Sequence, residues 1–409
     1  MQVYLVGGAV RDEQLGIPVT ERDWCVVGAS PDELVNEGYK QVGKDFPVFL
    51  HPDTGEEYAL ARTERKTAAG YHGFAFDTSP QVTIEEDLGR RDFTINALAR
   101  DTDGKLIDPF GGMRDIEKRL IRHVSDAFVE DPVRILRAAK FAARFASLGF
   151  RIAPGTRDLM RQMVAEGEAD ALVPDRAWKE TETALAGPNP HLYFEALRAC
   201  RALQVVFPEV DALFGVPQPA EWHPEIDTGL HTMMVIEQSE KLSDAVDVRF
   251  AALVHDLGKG TTKPADLPSH PGHERRGNTL IKKMAERLPV PRACRDLGLI
   301  VSEFHTHCHR ALELKDTTIV KVLEKTDAFR RPERFEKFLL ACEADARGRT
   351  GFENRRYAQA THMRTAFAAA SAVDAGSIAS SNEESQIADA IRKARVQAVG
   401  QARRALRVN

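Results

Sequence analysis

Leu5–Trp24, LVGGAVRDEQLGIPVTERDW, is the stretch that decides how this chain folds. The apolar run Val3–Val6 just before the glycines predicts a strand, and Val10–Leu15 predicts a helix. Gly7 and Gly8 then stand at a strand-to-helix turn, where backbone N–H groups can approach a phosphate with no Cβ in the way. Asp23 opens a second apolar run, Trp24–Val27, which also predicts a strand. Residues two apart on a strand share a face, so Glu21 and Asp23 are expected to converge on one hard cation. Mg²⁺ prefers a few carboxylates plus substrate phosphate oxygens. A phosphate cradle, an acidic pair and Arg11 between them point to nucleotidyl transfer. The competing reading is a glycine turn followed by two solvated acids.

The motif LVGGAVRD, followed by RDW, resembles the head signature of the class II tRNA nucleotidyltransferases. These are the CCA-adding enzymes of the DNA polymerase beta superfamily. That family carries Asp-x-Asp at its metal site, whereas this chain has Glu21-Arg22-Asp23. Glutamate is one methylene longer and reaches the ion only from an altered backbone.

Val48–His51 and Tyr58–Ala61 predict further strands. Glu57 precedes the second and matches a position where the family often has Glu; it is either a third acidic group or an exposed strand residue. Arg62–Phe76 is basic, has no clear period and is expected to be a mobile loop beside the site; in the family a loop here helps switch specificity from C to A. Glu85–Leu98 is helical in period, and its RRD and TINA segments resemble the family's RRDxTINA motif, which makes Arg91 a triphosphate contact. Asp108–Gly112 is expected to be a turn closing the head.

Glu130–Phe145 predicts an amphipathic helix starting near Pro132, with Asp131 at its N-terminal end. At about 100° per residue, Arg137, Lys140 and Arg144 form one basic stripe, with Arg134 beyond it. Ile135, Ala138, Ala142 and Phe145 take a separate apolar face. The stripe is either a solvated surface or a nucleotide-reading edge. The segment resembles the family's EDxxR motif, which favours the second; Lys140 stands where many relatives have Arg. The Watson–Crick edges of cytosine and adenine offer a ring acceptor beside an amino donor, whereas guanine and uracil reverse this. One Arg, donor only, beside one Asp, acceptor only, therefore complements C and A and opposes G and U. Arg134 and Asp131 are neighbours able to form that edge, and no nucleic-acid template is then needed.

A third constellation comprises His223, His231, His255-Asp256, His273, His305 and Asp345. Its core, LVHDLGKG, resembles the HD phosphohydrolases, in which an adjacent His-Asp and two outer ligands hold one or two divalent ions on a helical scaffold. Imidazole and carboxylate together suit transition metals such as Ni²⁺, Mn²⁺ or Co²⁺ better than Mg²⁺. His231, His255, Asp256 and Asp345 are the expected ligands, with Lys259 a possible phosphate contact. His305, His307 and His309 alternate and are expected to be peripheral. Trp178 is expected in the core and His191 at a solvated helix start.

The remaining features set bounds. A chain of 409 residues holds two to four domains, and 43% hydrophobic with 29% charged residues fits a soluble globular protein. A net charge of −5 excludes wholesale polyanion binding, so any RNA contact needs a local basic surface. Five scattered cysteines without CxxC fit a reducing compartment and no zinc ribbon. The N-terminus lacks the apolar core of a signal peptide, and no run is long enough to span a membrane, so the expected location is cytoplasmic. A Gly/Ser-rich linker from Asp374 is expected to lead into a basic helix carrying Arg392, Lys393, Arg395, Arg403, Arg404 and Arg407.

The resemblance implies an α+β architecture: a polymerase-beta-like head (1–125) with an antiparallel sheet, then all-α parts, namely neck and body (126–222), HD domain (223–350) and tail (351–409). It implies addition of C, C and A to tRNA from CTP and ATP by a monomer or homodimer. Mg²⁺ would be held by Glu21 and Asp23, and nucleotide by Gly8, Arg11, Arg91, Asp131, Arg134, Arg137 and Lys140. It also implies metal-dependent phosphatase, 2′-nucleotidase and 2′,3′-cyclic phosphodiesterase activity at the HD site. The alternatives are a bacterial poly(A) polymerase, an HD phosphohydrolase with a weakened head, and a non-catalytic tRNA chaperone.

Overall fold

The computed structural model describes residues 1–42, 48–66 and 74–408. Two compact units emerge, one of residues 1–180 with 196–205 and the other of 181–195 with 206–409.

The first unit is built on a seven-stranded sheet in the order β3-β4-β5-β2-β1-β8-β9. Its strands are β1 (Gln2–Val6), β2 (Asp23–Val27), β3 (Lys40–Val42), β4 (Val48–Leu50), β5 (Glu57–Leu60), β8 (Ala99–Asp101) and β9 (Leu106–Ile107). The sheet is antiparallel except at β2–β5, which pair in parallel. Alternation along the strands covers both faces. Tyr4, Val6 and Cys25 join Leu88 and Ala97 in one cluster, while Val26, Tyr58 and Leu60 join Leu34 and Phe49 in another. The helix Gly8–Gln14 follows β1 directly, with Gly7 at φ +70° as its cap. Gly7 donates its N–H to Leu98 O at 3.0 Å, which leaves the N–H groups from Gly8 onward to head the helix.

Three local expectations change. The period over 85–98 yields a helix only over Ile84–Gly89, opened by a reciprocal Thr83–Glu86 capping box. Beyond it, the Asp92 carboxylate accepts Phe93 N–H at 2.8 Å and Asn96 Nδ2–H at 3.0 Å, which folds 94–96 into a single tight turn. Of the expected loop over 62–76, Thr63–Lys66 (β6) and Phe74–Asp77 (β7) form an antiparallel ribbon; residues 67–73 lie outside the described residues. The expected Gly/Ser linker contains a helix, Ala375–Ser380, capped by Asp374.

The second unit is helical. Its core runs from Val248 through Phe304, Phe338 and Cys342 to Val399. The C-terminal helix Glu384–Val408 is anchored rather than free. Arg392 pairs with Glu324, Arg395 stacks over Phe329 at 3.7 Å, and Arg403 meets Asp316 and the Leu314 carbonyl. The Arg407 side chain lies outside the described residues. Two glycines fix close approaches. A Cβ at Gly348 would fall 2.7 Å from the Val235 backbone, which brings the end of the helix Pro332–Arg347 onto the helix Thr228–Leu242. A Cβ at Gly258 would fall 1.9 Å from His273 O.

Gly258→Ala must therefore push the helix His273–Arg287 away. Overpacking of this kind costs about 1–3 kcal/mol and occasionally more. A lowered thermal midpoint by circular dichroism is expected, and an unchanged midpoint would show that the contact is looser.

Candidate active sites

In the first unit the strand register does the positioning. Val6 lies opposite Asp23 across β1–β2, and Asp23 lies opposite Glu57 across β2–β5. Gly7 follows Val6, so the glycine turn and two of the acids meet at one end of the sheet. Asp23, Glu57, Asp87, Arg62, Arg90 and Arg91 line a cleft of about 190 Å³ there. Asp23 is exposed to solvent, yet the surrounding protein desolvates it enough to raise its carboxyl. Arg91 opposes that rise and the like charge of Glu21 adds to it. Glu21 precedes β2, is exposed and does not line the cleft.

Arg91 is the cation nearest the turn. Its Nη1 stands 2.7 Å from where a Gly7 Cβ would be, and the φ of +70° there favours glycine. The buried Asp87 carboxylate accepts from Arg91 at 3.0 Å and from Arg90 at 2.6 Å. Burial alone would raise the Asp87 carboxyl; the two guanidinium groups overcome this and hold it below the usual range.

Of its predicted apolar face the helix Val133–Arg144 buries Ile135 and Ala138 and leaves Ala142 half-buried, while Val133, Arg134, Leu136, Ala139 and Phe141 are inside as well. Its basic stripe is ion-paired throughout, although Arg144 stays exposed. Arg137 donates to Asp92 at 2.6 Å, Lys140 pairs with Glu180, and Arg144 reaches Asp12 at 3.0 Å. Arg11 is 3% exposed, bonded to Asp12 and Asn96, and lies over the rings of Phe141 and Phe145. Its Nη2 is 3.5 Å from a Gly8 Cβ position, so it backs the glycine turn from inside. The expected Asp131–Arg134 edge has other partners here. Arg176 grips Asp131 with two hydrogen bonds, at 3.0 and 2.7 Å. Arg134 donates to the carbonyls of Ala127 and Arg90 at 2.8 and 2.6 Å.

In the second unit the helical scaffold gathers the third constellation. His231 comes from Thr228–Leu242, His255 ends Val246–Val254 with Asp256 next, and Asp345 comes from Pro332–Arg347. All four are at most 3% exposed. His231 Nε2 lies 3.1 Å from Asp345 Oδ1, and His255 Nε2 lies 3.1 Å from Asp256 Oδ2 and 3.8 Å from Asp345 Oδ1. His231, His255 and Asp345 could hold one ion; Asp256, His273 and His305 form a second such group. His273 Nε2 and His305 Nε2 lie 3.4 and 3.5 Å from Asp256 Oδ1. His255 Nε2, Asp256 Oδ1 and His273 Nε2 are buried without a well-formed hydrogen bond among the described residues. Buried polar atoms left in this way, facing one another, fit a divalent metal. Burial alone would raise the Asp256 carboxyl; Lys259 and His255 hold it well below the usual range. Lys259, the expected phosphate contact, is buried, with its Nζ 2.6 Å from both Asp256 and Gln218.

His305 and His309, expected to be peripheral, are not: His305 faces Asp256, and His309 Nε2 is 2.6 Å from Asp345 Oδ2 while its Nδ1 is 2.9 Å from the Tyr357 hydroxyl. The available signal was the i,i+4 spacing of His305 and His309, which puts both on one helix face.

Residues 3–122 match the Poly A polymerase head domain, 149–214 the probable RNA and SrmB-binding site of polymerase A, and 228–331 the HD domain. The Multifunctional CCA protein of Thioalkalivibrio sulfidiphilus is 61% identical over 98% of both chains. That of Alkalilimnicola ehrlichii is 57% identical over 98% of this chain and 97% of its own. The chain belongs to the multifunctional CCA proteins. Like them, it is an enzyme with a nucleotidyltransferase head and an HD domain, and both modules imply divalent metal. The fold agrees with solved CCA-adding enzymes. One, in complex with CTP, has a TM-score of 0.67 at 20% identity, covering 97% of this chain and 87% of that one. The Thermotoga maritima enzyme complexed with tRNA has 0.64 at 19%, covering 99% and 91%. Among the described residues no helix is long and apolar enough to cross a membrane.

Asp92 gives this multifunctional CCA family member a pH signature. Burial would raise its carboxyl, but Arg137 and Asn96 hold it below the usual range. A depressed folded value stabilises above the unfolded pKa of about 3.9 and is lost as pH falls through the folded one. Asp92→Asn should therefore lose less of its urea midpoint than the parent between about pH 5 and pH 2. Parallel loss in both proteins would show that the pair adds nothing.

Proposed function

We propose that the first unit adds C, C and then A to the 3′ end of tRNA from CTP and ATP, releasing pyrophosphate. One observation carries this reading: in a multifunctional CCA protein, Asp23 stands in register with Val6, beside the Gly7–Gly8 turn and Arg91. Asp23 would hold Mg²⁺ in the cleft, with Glu21 joining it by turning in from the exposed segment before β2, and the bound ion would supply activation of the tRNA hydroxyl and of the leaving oxygen. Glu57, beside Asp23 in the register and lining the same cleft, would be the third acid, and this pairing supports that choice over a purely exposed strand residue. Gly8 and Arg91 take the triphosphate, with Arg11 holding the turn from behind. Arg137 and Lys140, already paired with Asp92 and Glu180, form the nucleotide's other wall. Asp131 and Arg134 read the base edge, and Arg176 must release Asp131 for that contact. The neck and body (126–222) and the tail bind tRNA phosphates. The five cysteines are buried and unbridged, which suits a reducing cytoplasm.

The second unit is proposed to hydrolyse phosphate esters: phosphatase, 2′-nucleotidase and 2′,3′-cyclic phosphodiesterase activity that trims damaged tRNA ends. His231, His255, Asp256 and Asp345 would hold Ni²⁺, Mn²⁺ or Co²⁺, with His273 and His305 sharing Asp256 for a second ion. Held there, the ion would supply Lewis acidity for hydrolysis of a phosphate ester.

Incubation with tRNA lacking CCA tests the first activity. CTP alone should add two residues, and CTP with ATP three; a ladder grown from ATP alone would favour poly(A) synthesis instead. Asp23→Ala should abolish addition and spare phosphatase activity, and His255→Ala should do the reverse. Loss of both activities in either variant would contradict two separate sites.

A further inference from the structure

Beside the His/Asp cluster of the HD unit lies a buried carboxylate with no part in the proposed hydrolysis. Glu225 has a side chain only 4% exposed. Its Oε1 stands 3.0 Å from His231 Nδ1 and 3.0 Å from His223 Nδ1. The two imidazoles pack edge to face, with ring centroids 4.6 Å apart. Its Oε2 accepts the Thr350 N–H at 3.4 Å. His231 Nδ1 is also 2.9 Å from Gly348 O. Both neighbours of Nδ1 are thus acceptors, so an ion on Nε2 would leave the imidazole proton on Nδ1, held by them. Nε2 faces the cluster, 3.1 Å from Asp345 Oδ1.

The backbone supports the same assignment. Ile226, the next residue, sits at φ +61°, a left-handed conformation that a β-branched side chain rarely adopts. Three hydrogen bonds hold the strained segment: Ile226 N–H to His223 O at 2.9 Å, Gln218 N–H to Ile226 O at 2.7 Å, and Asp227 N–H to Glu225 O at 2.6 Å. Asp227 in turn caps the His231 helix by accepting Leu230 N–H at 2.9 Å. Strain of this size persists only where surrounding contacts over-determine it, and such places cluster at functional sites. Here the strained residue links the Glu225 carboxylate to the start of the helix that carries its histidine partner.

We propose that Glu225 is a positioning residue of the HD-domain metal site. It fixes the tautomer and ring orientation of His231 and increases the basicity of Nε2 toward a divalent ion. The proposal rests on the metal-binding reading of the HD site. Outer carboxylates that hold a ligand histidine typically contribute 10–100-fold to metal affinity.

Titration of the full-length protein with Co²⁺, followed by visible absorption, tests it. The band lost in His255→Ala defines the HD-site signal; if His255→Ala binds Co²⁺ as the parent does, the metal reading itself falls and takes the proposal with it. Within a confirmed site, Glu225→Gln should weaken Co²⁺ binding about 10-fold and shift the band, and Glu225→Ala about 100-fold. The melting midpoint of the metal-free Gln variant should match the parent's. Glu225→Gln keeps the side-chain volume, so the test stands even if the Ala variant melts early. Binding by Glu225→Gln within about threefold of the parent, with an unshifted band, would overturn the proposal.

Discussion

The head depends on strand register. Side chains on a strand alternate, so a slip of one residue between β1 and β2 would carry Asp23 to the opposite face. The observed pairing sets Val6, Asp23 and Glu57 side by side across three strands. The chain then turns at Gly7, whose φ of +70° favours glycine and against which the Arg91 guanidinium packs. Clusters on both faces of the sheet fix this register, since a slip would move Cys25 and Val26 into each other's surroundings. Core packing therefore places the acid in the cleft.

A second constraint is charge pairing behind the cleft. Arg11, Arg137, Lys140 and Arg144 each meet a carboxylate: Asp12, Asp92, Glu180 and again Asp12. Several of these groups are mostly buried, and an unpaired charge there would be costly. The network joins the helix after β1, the tight turn at 94–96 and the helix Val133–Arg144. The cations expected to hold nucleotide are thus also those that hold the wall of the site. The HD unit follows the same logic with helices. Gly348 and Gly258 bring helix ends close enough for buried His and Asp side chains to face one another.

The sequence was legible where the signal is local. The strands at β1, β2 and β5 and the helix after Gly7 fall within a residue or two of their predicted places, because apolar runs and glycines mark them directly. The His255-Asp256 pair was legible because its members adjoin. The helix read over 85–98 was shorter than its period suggested: it ends at Gly89, and beyond it Asp92 holds the Phe93 N–H and the Asn96 side-chain amide in a separate tight turn. The separate partners of Asp131 and Arg134 were hidden, since Arg176 and the Ala127 carbonyl are brought in by the fold. Glu225 and Tyr357 were hidden, and His309 was set aside as peripheral, for the same reason: their partners are brought in only by the fold.

The central claim is that Asp23, placed by register beside the Gly7–Arg91 turn, joins metal to triphosphate. Calorimetric CTP binding with and without Mg²⁺ tests this most directly. In the parent, Mg²⁺ should tighten CTP binding by about tenfold or more, which is about 1.4 kcal/mol. In Asp23→Asn, which preserves the shape of the strand end, Mg²⁺ should leave CTP binding unchanged. Equal tightening by Mg²⁺ in both proteins would contradict the account.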